Sequence, residues 1–133
     1  GAGFYGVGEC SAFPMIVGET QATCYEMAKD FAAIWKGKNA GQLEKRLEEL
    51  HAATAFNSTI KSAFDMALYD LAAKAASQPL YQFLGGSNSK TLETDITVGI
   101  DTPALMAEQA AAFKKQGFRI IKIKLGKDPV EDV

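Results

Sequence analysis

A chain of 133 residues, 47% hydrophobic and 23% charged, has the balance of a globular domain rather than a disordered one. Its 14 Lys and Arg against 16 Asp and Glu give a formal net charge of −2, and the basic residues are scattered, so no basic face is offered to nucleic acid or anionic lipid. No apolar run reaches the roughly 18 residues of a membrane span and the first residues do not read as a secretory leader, so the cytoplasm is the expected compartment and no membrane partner is expected.

Residues 1–18 read as a glycine-rich strand followed by an apolar loop, Phe13-Pro14-Met15-Ile16-Val17-Gly18, bracketed by turn residues and suited to ligand contact. The opening Gly1-Ala2-Gly3-Phe4 reads as a strand entered midway and residues 128–133 as a helix barely begun, so both ends are expected to be cut. Cys10 and Cys24 lack the paired spacing of a zinc site; free thiols are expected from the compartment, with a disulfide left open by sequence.

Thr20 reads as the N-cap of a helix running to about Trp35 and ended by Gly37, and a shorter helix covers residues 42–50. The strongest helical pattern starts near Ser58, where Ile60, Ala63, Phe64, Ala67, Leu68 and Leu71 recur at the three- and four-residue steps of a buried face. Asp70 and Lys74, four residues apart, read as an ordinary helix pair worth about 0.2–0.5 kcal/mol. Pro79 is expected to stop this helix, and residues 80–86 read as one short turn with a glycine exit.

The pattern changes near residue 90. Residues 93–100 read as a strand, Thr102-Pro103 caps a helix to about Gln116, Gly117 ends it, and residues 119–125 form a second strand. Such a βαβ unit predicts a parallel pair with a right-handed crossover.

Alternation along the second strand puts Lys122 and Lys124 on one face, with Ile121, Ile123 and Leu125 on the other. Two cations about 7 Å apart disfavour each other's charged form, which favours the free amine that a base requires. Lys124, nearer the C-terminal end of the strand, is the better candidate for substrate contact. On spacing alone, a Lys-x-Lys is more often the solvated face of an edge strand. Thr97 and Asp95 share a face of the first strand; Thr97 is a candidate substrate contact and Asp95 a neutralising partner for Lys122. Glu9, His51 and the glycines Gly3, Gly6 and Gly8 carry no recognisable metal, base or dinucleotide function.

Four segments, Gly6-Val7-Gly8-Glu9-Cys10, residues 62–71, Pro79-Leu80-Tyr81-Gln82-Phe83-Leu84-Gly85-Gly86 and Ile121-Lys122-Ile123-Lys124, occur in the order seen in the enolase superfamily, and the chain resembles its muconate-lactonizing subgroup. The resemblance implies an α+β capping domain, residues 1–89 without its first strands, followed by the start of a (β/α) TIM-like barrel in residues 90–133. It implies an isomerase that removes a proton alpha to a carboxylate, giving an enediolate stabilised by Mg²⁺. Lys124 is then the acid/base, Lys122 its electrostatic neighbour, and Met15, Ile16 and Val17 belong to a specificity loop. The metal ligands and a second lysine are expected beyond Val133.

Residues 93–98 are similar to the first barrel strand of dipeptide epimerases, where the threonine contacts substrate. The resemblance therefore favours a dipeptide epimerase of the Ala-Glu type, a homo-oligomer when complete, with the isolated residues 1–133 inactive. Alternatives are a cycloisomerase, an o-succinylbenzoate synthase or an N-acylamino acid racemase of the same subgroup, and, in another class, a non-catalytic cap-type binding module.

Overall fold

In the computed structural model, which describes residues 3–126 and 129–130, the chain divides into two compact units, Gly1–Asn88 and Ser89–Val133. The first unit runs α1 (Pro14–Val17), α2 (Gln21–Trp35), α3 (Leu43–Ala53), α4 (Ser58–Ala75) and α5 (Leu80–Phe83). Thr20 begins α2 as expected: its Oγ1 accepts from the Thr23 N–H at 3.1 Å, while the Thr23 Oγ1 accepts from the Thr20 N–H at 2.9 Å. This reciprocal cap satisfies two donors that the helix cannot.

Cys24 and Phe31 of α2, Leu50 of α3 and Ile60 of α4 form the buried cluster, and half-buried Met27, Ala28, Ile34 and Trp35 complete the stripe of α2 that faces it. Phe64 meets Phe31 and Trp35 edge-on, with ring centroids 5.5 and 5.3 Å apart. The Trp35 indole N–H donates to the Arg46 carbonyl at 3.1 Å and fastens α2 to α3. Along α4 the expected face is the one that packs: Ile60 and Leu68 are buried, and Ala63, Phe64, Ala67 and Leu71 are half-buried.

Two features of α4 depart from expectation. It ends at Ala75, ahead of Pro79, because Ser77 takes a left-handed conformation (φ 55°) while its N–H and that of Gln78 bond back to the carbonyls of Lys74 and Ala73. Lys61, in its first turn, is buried, and its ammonium donates to the carbonyl of Thr54, the residue that closes α3. A buried cation is tolerated there because it pairs with an otherwise unsatisfied helix-end carbonyl.

The strand expected within residues 1–18 is not formed: among the described residues, 4–12 have no strand partner, and 14–17 are helical. The segment instead runs antiparallel along α4. A Cβ at Gly6 would overlap the Ala67 carbonyl oxygen, and one at Gly8 the Ala63 carbonyl oxygen, so glycine is required by close approach to the helix backbone. The Val7 N–H donates to Asp70 Oδ2 at 2.8 Å, Lys74 Nζ donates to the Tyr5 carbonyl at 3.2 Å, and Lys74 also pairs with Asp70 at 2.6 Å. The Asp70–Lys74 pair is thus a clasp on a distant segment rather than only a helix pair. Lys74, followed by the Val7 amide, holds the Asp70 carboxyl below its ordinary value.

The second unit is β1 (Asp95–Val98), α6 (Pro103–Lys115) and β2 (Ile120–Ile123). The strands pair in parallel with Asp95 opposite Ile120, Ile96 opposite Ile121, Thr97 opposite Lys122 and Val98 opposite Ile123, and the ladder continues with the Lys124 N–H donating to the Val98 carbonyl at 3.1 Å. Val98 is fully buried, with Ile96 and Ile121 half-buried on the same face. α6 packs on both strands, and Phe113 meets Phe118 at 6.0 Å between centroids. One helix packed on one side of a parallel pair is the layering of a barrel's first repeat.

Candidate functional site

Pleating and the Thr97–Lys122 register bring Thr97, Lys122 and Lys124 to one face of the parallel pair. All three are exposed, as are Asp95 and Ile120 on the same face. Lys124 lies just past the end of β2 and Thr97 one residue before the end of β1, so both stand at the C-terminal end of the strands. Asp95 is one step deeper, opposite Ile120, and makes no ion pair with Lys122. A concavity lined by Glu93, Thr94, Gln116, Gly117, Phe118 and Arg119 opens at the opposite, N-terminal end of the strands, away from both lysines.

In the first unit Met15 and Ile16 are 87% and 76% exposed, and Val17 is exposed as well. No residue of α1 is buried. Gly18 (φ 71°) turns the chain out of this short helix, with its N–H on the Pro14 carbonyl at 2.9 Å. Glu19, which the sequence did not single out, is buried. Its Oε1 accepts from the Thr59 N–H at 3.0 Å, and its Oε2 accepts from the Ile60 N–H at 3.4 Å and from the Cys24 thiol at 3.5 Å. Glu19 therefore serves as the distant N-cap of α4, whose own N-cap residue, Asn57, makes no side-chain cap bond.

Burial pushes the Glu19 carboxyl up, but the bonds from Thr59, Ile60 and Cys24 outweigh it and hold the carboxyl below its ordinary 4.5. The same cluster acts on Cys24: burial first, then the Glu19 carboxylate, pushes its thiol to about 11. Cys10 and Cys24 are both free thiols.

Since the folded Glu19 carboxyl titrates below 4.5, its stabilisation is complete above that pH and is lost as pH falls through the folded value. Replacing Glu19 by Gln is expected to cost about 1–3 kcal/mol near neutrality, because Gln opposes an amide NH₂ or leaves a buried N–H unpaired. Thermal melts over a pH series check this. The gap between the two proteins must shrink in acid, and a gap independent of pH would contradict it.

Among the described residues no three His, Cys, Asp or Glu side chains converge as a metal site, and no helix is long and apolar enough to cross a membrane.

A model of the mandelate racemase / muconate lactonizing enzyme N-terminal domain matches residues 1–85. The chain is 44% identical over 132 residues to the D-Ala-D/L-Ala epimerase of Cytophaga hutchinsonii, covering 99% of this chain and 36% of that protein. It is 41% identical to the hydrophobic dipeptide epimerase of Enterococcus faecalis, covering 93% of this chain and 35% of that one. Among solved structures, the Cytophaga hutchinsonii dipeptide epimerase complexed with Mg and D-Ala-L-Val superimposes with a TM-score of 0.91 at 44% identity, over 96% of this chain and 34% of that one. The chain thus spans about a third of the length of the relatives it matches. Matching one domain model over most of its length, the chain belongs to the mandelate racemase / muconate lactonizing enzyme family of the enolase superfamily.

Proposed function

We propose that these residues are part of an isomerase that epimerises dipeptides, with residues 1–89 as its capping domain and residues 90–133 as the first repeat of its barrel. The observation that carries the reading is the shared face of Thr97, Lys122 and Lys124 at the C-terminal end of a parallel pair, in a chain similar to dipeptide epimerases. Lys124 removes the proton alpha to the dipeptide carboxylate, and the C–H electron pair moves into the carboxylate to give an enediolate. A second acid, supplied by residues outside 1–133, returns a proton on the opposite face and inverts the centre. Lys122 tunes the charge around Lys124, Thr97 holds the substrate, and Met15, Ile16 and Val17 select its side chain.

Solved relatives are complexed with Mg. The described residues do not form a site for it, so in this proposal the ion is held by residues outside the chain, and no step above is assigned to it. Bound, such an ion supplies a fixed positive charge that stabilises a developing anion.

The substrate reading is a dipeptide of the Ala-Glu type, as in the L-Ala-D/L-Glu epimerase of Bacillus subtilis, to which the chain is 44% identical over 94 residues. A second reading, a dipeptide with an apolar side chain, is favoured by the exposed Met15 and Ile16. The test is solvent-deuterium incorporation at the alpha carbon of L-Ala-L-Glu and of L-Ala-L-Leu by the full-length protein with Mg²⁺. Incorporation into the Glu dipeptide is expected to be the faster. The reverse order selects the apolar reading, and no incorporation into either defeats the epimerase in favour of a cycloisomerase, a synthase or a binding module.

A further inference from the structure

We propose that Glu19 is the positioning residue for substrate side-chain selection, because its buried carboxylate fastens the C-terminal end of the exposed apolar loop of residues 13–17 to the first turn of α4. The inference rests on the epimerase reading and names the residue on which its selectivity depends.

No side chain of this four-residue helix is buried, and on its N-terminal side the chain is held by Cys10 and Ala12, which pack on the core cluster. The next residue after its Gly18 exit is 7% exposed, and its carboxylate faces the Thr59 and Ile60 N–H groups, the Thr59 hydroxyl and the Cys24 thiol, all of which donate to it. A carboxylate, an acceptor at both oxygens, satisfies this set, whereas an amide presents a donor to donors. The bond joins positions 40 residues apart, so one side chain fixes where the loop ends relative to α4.

The same anchor reaches a second exposed apolar group. Three residues before Thr59, Phe56 stands 90% exposed in a left-handed conformation (φ 56°), followed by Asn57 at φ 53°. A bulky residue held there is strained, and such strain persists where the surroundings enforce it, often at ligand-contacting sites. Glu19 thus ties together two turns, one carrying Met15 and Ile16 and the other Phe56. Its role is positional: it holds the groups that select a side chain and takes no part in proton transfer.

The experiment measures epimerisation of L-Ala-L-Glu and L-Ala-L-Leu by the full-length protein with Mg²⁺, in the wild type, Glu19→Gln and Gly18→Val. The valine strains the same loop end, where φ is 71°, and its Cβ meets nothing within 4 Å. Both variants are expected to raise KM for the preferred dipeptide about fivefold or more, to narrow the preference between the two dipeptides, and to keep kcat within about twofold. If Glu19→Gln does not fold, Gly18→Val alone decides. Unchanged KM and preference in an active protein would overturn this inference alone, as would a fall in kcat at constant KM. Absence of epimerisation by the wild type would overturn the epimerase reading and this inference with it.

Discussion

Replacement of Lys124 by Ala in the full-length protein is expected to lower dipeptide epimerisation by about 10²–10⁴-fold, which corresponds to about 3–5 kcal/mol in the barrier. The side chain is exposed at the end of β2, and only its backbone N–H, which the substitution keeps, joins the ladder to Val98. The fold is therefore expected to survive, and an unchanged circular dichroism spectrum is the control. A two-base mechanism makes a finer statement. Each base serves one face of the alpha carbon, so loss of one removes deuterium incorporation from one epimer and leaves it in the other. Exchange into both epimers at the wild-type rate would remove Lys124 from the reaction.

The second large effect concerns stability. Gly8→Val is expected to destabilise the protein by about 1–3 kcal/mol or more, seen as a lower melting temperature. The added Cβ would overlap the Ala63 carbonyl oxygen, which sits in the interior of α4 and cannot shift without loosening the helix. The segment must lift instead, which breaks the Val7 bond to Asp70 and the Lys74 bond to the Tyr5 carbonyl. Gly99→Ala is the control, since a Cβ there meets nothing within 4 Å. Equal melting temperatures for the two variants would refute the close-approach argument.

What the sequence disclosed was what depends on neighbours along the chain. The Thr20 cap, the stripe from Ile60 to Leu71 and the strand, helix and strand after residue 90 follow from local periodicity and capping, and all appear. The alternation that puts Lys122 and Lys124 on one face is equally local; placing Thr97 beside Lys122 required the register between strands. What was missed is long-range. The glycine-rich segment before Cys10 reads as a strand, but pairing depends on a partner that spacing does not reveal, and here Gly6 and Gly8 answer to α4. Glu19 reads as an ordinary residue before a cap, because its partners lie 40 residues away. Asp70 reads as half of a helix pair because the Val7 amide it accepts is 63 residues distant.

The clasp on residues 5–7 also bears on how the first unit opens. Among the described residues, its backbone bonds run to two side chains, those of Asp70 and Lys74, rather than to a strand ladder, and both side chains are partly exposed. Breaking them leaves the helical hydrogen bonds of α4 and the Phe31, Leu50 and Ile60 cluster intact. Loss of either side chain is accordingly expected to loosen this segment while leaving the helix's own bonds untouched.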